Sequence, residues 1–191
     1  DGVAARQWLA RASAGFARLG NQLQAETVRS NEAALLTTIG DHAGAIEAGE
    51  QALAFFRQVQ HTRMIAATAA SIADACINLG RLDQARGMAE LVIAQEETQF
   101  VPYALYPLAE VRIAEGQPAA AAEPLNDGLR LARQNHDPYI EAFLLRKLGQ
   151  SQLPQVGSAA ARGHLEQARE LFERMGMANE AAATRACLAE L

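Results

Sequence analysis

The sequence predicts an all-α protein of about ten antiparallel helices, and three observations carry that reading. Ala fills 42 of 191 positions while β-branched and aromatic residues are few, so intrinsic preference favours helix over strand. Apolar residues recur at spacings of three, four and seven, the signature of one helical face. Glycines fall at regular intervals where those runs end, and a Gly just past the last turn takes the left-handed conformation that closes a helix.

The elements follow in order. Helices over 2–18 and 22–39 are closed by Gly20 and Gly40. A third spans 41–58. The fourth, 61–79, shows the periodicity well: Met64, Ile65, Ile72, Ala73, Cys76 and Leu79 share a face, and Gly80 follows. A fifth covers 82–96, and a sixth, 99–115, stops at Gly116. The seventh, 118–134, contains Pro124 as the sixth contains Pro107. Each proline removes an amide donor and clashes with the preceding turn at a cost of about 3 kcal/mol in a straight helix, which predicts kinks there, or a delayed start near Pro107. Asp137-Pro138 supplies a cap and a first-turn residue for the eighth helix, 138–153. Ser158 caps the ninth, 158–175, and a tenth covers 178–190.

Composition narrows the function classes. Half the residues are hydrophobic, enough to bury a substantial core, and the chain reads as a single repeat domain over 1–191. Net charge is −5, split as −2 over 1–96 (8 basic, 10 acidic) and −3 over 97–191 (9 basic, 12 acidic), so neither half has the basic field that direct nucleic-acid binding needs. Cys76 and Cys187 form neither a disulfide framework nor a metal-ligand pair by spacing, which points to a reducing, cytoplasmic location. No apolar run reaches a membrane span, and no cleavable leader is visible. The chain opens at Asp1 without an initiator Met, inside what reads as a repeat, so a longer protein is expected.

An internal repeat organises the helices. GDHAGAIEAGEQALA at 40–54 returns as GRLDQARGMAELVIA at 80–94 and as GQPAAAAEPLNDGLR at 116–130. With the recurring Gly placed at position 15, units begin at Glu26, Ala66, Pro102 and Ala142, the last with Val156 at that place and Gly157 beside it. Position 8 is then Ala33, Ala73, Ala109 and Gly149. Position 20 is Ala45, Ala85, Ala121 and Ala161, and position 27 is Ala52, Val92, Gly128 and Ala168. Small residues at three fixed places let paired helices approach closely and stack on the next pair.

At these positions the chain resembles the tetratricopeptide repeat family, most clearly in IGDHAGAIEAGEQAL at 39–53, LGRLDQA at 79–85 and LGQ at 148–150. The resemblance covers a half repeat at 1–20, repeats at about 26–60, 66–98, 102–136 and 142–175, and a terminal helix at 178–190. It departs in a unit longer than the usual 34, and at position 11, usually aromatic, which holds Leu36, Cys76, Arg112 and Gln152. The longer unit is similar to divergent repeats of bacterial signalling proteins and transcriptional regulators. The resemblance implies a right-handed helical-hairpin solenoid, a superhelix whose concave groove is lined by the first helix of each unit.

Carried over, groove positions fall on Thr27, Ser30, Asn31 and Thr38, on Ser71, Asp74 and Asn78, on Tyr103, Tyr106 and Glu110, and on Phe143, Arg146, Lys147 and Gln150. Tyr and Arg anchor interfaces when they sit in pockets, which favours Tyr103, Tyr106 and Arg146 as contacts. The family's carboxylate clamp is absent, because Ser30, Ala34, Ala70 and Asp74 stand at its places.

No catalytic or metal constellation appears. His42, His61, His136 and His164 are dispersed, with no pair four apart, and no glycine loop follows a strand, so no cofactor and no metal are expected. Cys76 lies on the packed face as a small hydrophobe. The expected function is therefore a non-catalytic scaffold that holds a protein or peptide in the groove. A domain sensing a small molecule or short peptide is one alternative; homodimer formation through the end helices is the other.

Overall fold

Left-handed turns twenty residues apart set the architecture of the computed structural model, which describes residues 2–152 and 158–191. Gly20, Gly40, Gln60 and Gly80 all have φ between 53° and 85°, and so do Gly116, His136 and Gly176. Each such turn closes one helix and aims the chain into the next. At Gly40 the amide of Asp41 donates to the Leu36 carbonyl at 2.9 Å and the Gly40 amide to that of Thr37 at 3.2 Å, the paired bonds of a Schellman closure. After Gly20 and Gly40 the next residue caps the following helix: Asn21 accepts from the Gln24 amide at 3.2 Å and Asp41 from the Gly44 amide at 3.0 Å.

The helices are α1 (Gly2–Arg18), α2 (Gln22–Thr38), α3 (His42–Gln58), α4 (Thr62–Asn78), α5 (Leu82–Ala94), α6 (Val101–Ala114), α7 (Ala122–Gln134), α8 (Pro138–Gln152), α9 (Ser158–Arg174) and α10 (Ala178–Ala189). No strand occurs among the described residues. The expected closure at Val156 and Gly157 lies outside them, as do residue 153 and the side chains of Gln152 and Ser158. Two compact units emerge, 1–100 and 101–191. In the first, α1 packs on α2, α2 on α3, α3 on α4 and α4 on α5, with α2 also touching α4. In the second, α6 packs on α7, α7 on α8, α8 on α9 and α9 on α10, and α6 touches α8.

The recurrent small residues occupy these contacts. At positions 8, 20 and 27 every one of the twelve residues is buried, and all but the two glycines there are 0 % exposed. Gly149 shows why size is restricted: a Cβ on it would lie 2.6 Å from Leu165 Cγ and 3.1 Å from the Ala161 carbonyl oxygen. Around these contacts Phe56, Leu36 and Ile72 fill the first unit and Phe172, Leu125, Leu144 and Leu165 the second.

Two proline expectations resolve differently. Helix α6 runs through the buried Pro107 from its start at Val101, so the start is not delayed there. The helix expected over 118–134 instead opens as a 3-10 turn, Pro118–Ala121, and becomes α-helical at Ala122. Pro124 then sits in the first turn of α7, where an amide has no intrahelical partner. The Ala120 carbonyl, four residues before Pro124, accepts from Arg112 Nη1 at 3.0 Å. This occupies Arg112, which stands where the family usually has an aromatic.

Candidate functional site

In the first unit the expected contact residues lie on α2 and α4, and most hydroxyls there are turned to their own backbone. Thr27 donates to the Leu23 carbonyl at 2.8 Å, Thr38 to that of Ala34 at 3.0 Å and Ser71 to that of Ala67 at 3.3 Å. Asn78 likewise donates to the Asp74 backbone at 2.9 Å. Ser30 is not a groove residue: it is 5 % exposed and shares a 2.7 Å hydrogen bond with the buried Thr68, which joins α2 to α4. Asn31 and Asn78 are exposed, and Ser71 and Asp74 are half-buried. This unit also has an open, charged cleft of about 180 Å³ that the sequence did not foretell. Arg6, Arg29, Glu32 and Glu47 help line it, and Arg6 reaches Glu32 and Asp41 at 3.4 Å each.

The second unit gathers its expected residues into one surface across α6, α8 and α10. The Tyr103 hydroxyl donates to Asp137 Oδ2 at 2.7 Å, while Oδ1 of that carboxylate accepts from the Tyr139 and Ile140 amides at 3.2 and 3.4 Å. One side chain thus caps α8 and holds Tyr103. Burial, and then the hydrogen bond to Asp137, push the Tyr103 phenol well above its usual range, so it stays a donor. The Tyr103 and Tyr139 rings stack with centroids 6.4 Å apart, and Tyr139 meets Phe143 at 5.0 Å. Tyr106 meets Phe143 edge-on at 6.2 Å, and Phe143 meets Phe172 at 5.1 Å.

The polar residues of this surface pair between helices. The Arg146 guanidinium lies 5.0 Å from the Phe143 ring centroid and 5.2 Å from that of Phe172, and bonds to Glu180 of α10. Lys147 Nζ is 2.6 Å from Glu110 Oε1 of α6. Gln150 donates to the Cys187 sulfur of α10 at 3.2 Å. Sequence reasoning missed Tyr139, Phe172 and Glu180 as participants. Tyr139 was signalled by its place four residues before Phe143, which puts both on one helical face.

Among the described residues no three His, Cys, Asp or Glu side chains are placed to hold a metal ion, and no helix is long and apolar enough to cross a membrane. Cys76 is fully buried, and burial pushes its thiol up to about 11. The surface of the second unit therefore offers aromatic contact, hydrogen bonding and exchangeable ion pairs.

No family profile matches the chain, and no curated protein sequence does. Solved structures do. The chain is similar to the tetratricopeptide-like repeats of a kinesin light chain from Podosopora anserina, at TM-score 0.62 and 19% identity over 92% of this chain and 89% of that one. It is similar to a Rap protein complexed with Competence and Sporulation Factor, at TM-score 0.63 and 19% identity, covering 99% of this chain but 58% of that one. A MamA double mutant gives TM-score 0.54 at 15% identity over 89% of this chain and 96% of that one. The shared property is the fold: the chain is a tetratricopeptide-like array of helical hairpins.

Proposed function

We propose that the chain is a non-catalytic scaffold that binds a protein or peptide, with the α6, α8 and α10 surface as its principal contact. The carrying observation is the aromatic strip of Tyr103, Tyr139, Phe143 and Tyr106, in which Tyr139 keeps 39% of its surface exposed. Glu110, Arg146, Lys147 and Gln150 border the strip and give a ligand polar groups to exchange with. Asn31, Ser71, Asp74 and Asn78 form a lesser contact in the first unit. A Rap protein of the same fold complexed with Competence and Sporulation Factor supports a ligand-holding role.

The scaffold acts in the cytoplasm of a bacterium as the interaction part of a signalling or transcriptional regulator, without cofactor, membrane or nucleic-acid contact of its own. A second reading, ligand sensing, draws on the pairs Glu110–Lys147 and Arg146–Glu180. Each ties one helix to another, so a ligand that captured a cation would loosen a helix contact.

The test is selection of displayed peptides on the 191-residue chain, followed by fluorescence anisotropy with the enriched peptide. Tyr139→Ala should weaken binding by about tenfold or more, the effect of an anchor residue. Glu123→Ala, at an exposed position of α7 outside the contact, should leave it unchanged. Failure to enrich any peptide, or equal binding by Tyr139→Ala, overturns the proposal.

A further inference from the structure

Of Tyr103, Tyr106, Tyr139, Phe143 and Phe172, Tyr139 alone is exposed, and both rings it meets are held in place. Phe143 packs at 5.1 Å against Phe172, which is fully buried. Tyr103, stacked on Tyr139, donates its hydroxyl to Asp137 Oδ2 at 2.7 Å. Oδ1 of the same carboxylate accepts the Tyr139 and Ile140 amides. One side chain thus fixes the backbone of Tyr139 and the ring stacked on it. The link is particular to this surface. The corresponding places, also 34 residues apart, hold Thr27 and His61 in the first unit and Phe143 and Met177 one repeat further on. Thr27 donates to its own helix, and neither His61 nor Met177 makes a side-chain cap. Helices α4 and α10 form all the same, so the array does not need a carboxylate there to begin a helix.

What the Tyr139 ring can hold follows from the charges around it. Lys147 Nζ is 2.6 Å from Glu110, Arg146 bonds to Glu180, and Glu141, the only acid of α8, is 2.8 Å from Arg133. Asp137 is engaged by a hydroxyl and two amides. A guanidinium that entered would find the place over Phe143 and Phe172 filled by Arg146, at 5.0 and 5.2 Å from their centroids. A charged group on a ligand therefore replaces an equivalent internal contact, and exchanging partly exposed ion pairs yields little affinity. A neutral ring meets no such competition, because covering Tyr139 removes apolar surface of both partners from water.

We infer that the partner's anchor is an uncharged aromatic side chain laid on Tyr139, and that Asp137, acting through Tyr103, is the positioning residue that fixes the receiving ring. This rests on the binding role proposed for the α6, α8 and α10 surface and adds the chemistry of the group bound. An aromatic group gains most from a ring already held in one orientation, since offset or edge-on geometry is then reached without the cost of ordering Tyr139. Such binding makes and breaks no ion pair, so salt does not weaken it.

The test uses the 191-residue chain with ring-labelled tyrosine, which gives NMR signals from three tyrosines; Tyr139→Phe assigns that of Tyr139. N-acetyl-tryptophanamide and N-acetyl-argininamide are each titrated to about 10 mM, where millimolar contacts register. The indole should move the Tyr139 signal with an affinity at least about threefold greater than that of the guanidinium, and equally at about 50 and about 500 mM NaCl. Asp137→Ser keeps an oxygen at the α8 cap but is too short to reach Tyr103, and Tyr103→Phe keeps the ring without its hydroxyl. Each should weaken indole binding by about two- to tenfold, the ordering cost passed to the ligand, and the double variant should be no weaker than either single one. Circular dichroism should show unchanged helix content in all three. Arginine binding as tightly as tryptophan, indole binding that fades with salt, or undiminished affinity in both Tyr103→Phe and Asp137→Ser overturns the inference. So does a Tyr139 signal that neither amide moves. Failure of the binding role itself looks different: a displayed peptide that depends on Tyr139 but anchors through a charged residue sinks the aromatic anchor alone, whereas absence of any enriched peptide sinks both.

Discussion

Gly149→Ala tests the claim that helix approach dictates residue size in this array. The added methyl would meet Leu165 Cγ at 2.6 Å, Leu165 Cδ2 at 2.9 Å and the Ala161 carbonyl oxygen at 3.1 Å. Leu165 is fully buried and Ala161 presents backbone, so neither yields readily. Overpacking of this kind costs about 1–3 kcal/mol, and exchanging Gly for Ala inside a helix returns about 1 kcal/mol, which leaves a net loss between about 0 and about 2 kcal/mol. Gly163 in α9 provides the control, because a Cβ there has nothing within 4 Å. Gly163→Ala should show the helix gain alone, about 1 kcal/mol. The difference between the two variants, about 1–3 kcal/mol, isolates the packing effect because helix preference cancels. Far-UV circular dichroism melts should separate their midpoints by roughly 2–4 °C for each kcal/mol. Leu165→Ala made in the Gly149→Ala background should cost less than in wild type, since the methyl fills part of the cavity it leaves. Equal stabilisation by the two alanines would refute the reasoning.

The left-handed Gln60 and His136, both at φ 53°, should accept Gly with a gain of about 0.5–1 kcal/mol in urea unfolding, relief of left-handed strain exceeding the entropy cost; a loss counts against this. Arg112→Met should cost about 1–3 kcal/mol by leaving the Ala120 carbonyl short of a donor, and distinctly less with Pro124→Ala, which restores an amide; equal costs in both backgrounds exclude this role. Ellman's reagent at mildly alkaline pH should titrate Cys187 alone in the native chain and Cys76 only after denaturation, because the buried Cys76 thiol is pushed up to about 11; two fast native thiols would contradict this. Burial, aided by the nearby Arg133, lowers the His164 pKa, so the native state disfavours the imidazolium. The unfolded chain then binds more protons as pH falls below about 6.5, stability drops there, and His164→Gln should flatten that slope in urea titrations across the window.

Helix bounds were legible to within a few residues because punctuation and periodicity agreed. Gly20, Gly40, Gly80 and Gly116 announced their turns, since Gly alone enters the left-handed region without steric cost. Gln60, Glu96 and His136 take the same conformation and were invisible by residue type. The twenty-residue interval held the missing signal at Gln60 and His136. The 3-10 opening at Pro118–Ala121 was not legible either, and neither was the bond from Arg112 of α6 to the Ala120 carbonyl, which Pro124 leaves without an amide.

The candidate residues were legible as positions on the first helices but not as a set of partners. Counting positions places Glu110, Arg146 and Lys147 on the first helices, yet cannot say whether they meet solvent or one another. Stacked units bring one first helix against another about one repeat later, at separations of 34 or 37 residues for Tyr103–Asp137, Arg146–Glu180 and Glu110–Lys147. Opposite charges at that interval find each other. Such partly exposed pairs contribute about 1 kcal/mol or less, so an incoming carboxylate that replaces Glu110 on Lys147 exchanges nearly equal contacts and gains little affinity. Discrimination must then come from surface without an equal internal substitute. The exposed 39% of Tyr139 offers apolar ring for a ligand to cover. For this reason loss of the Tyr139 ring should weaken binding more than loss of the Lys147 charge, although the charge is the more conspicuous feature of the sequence.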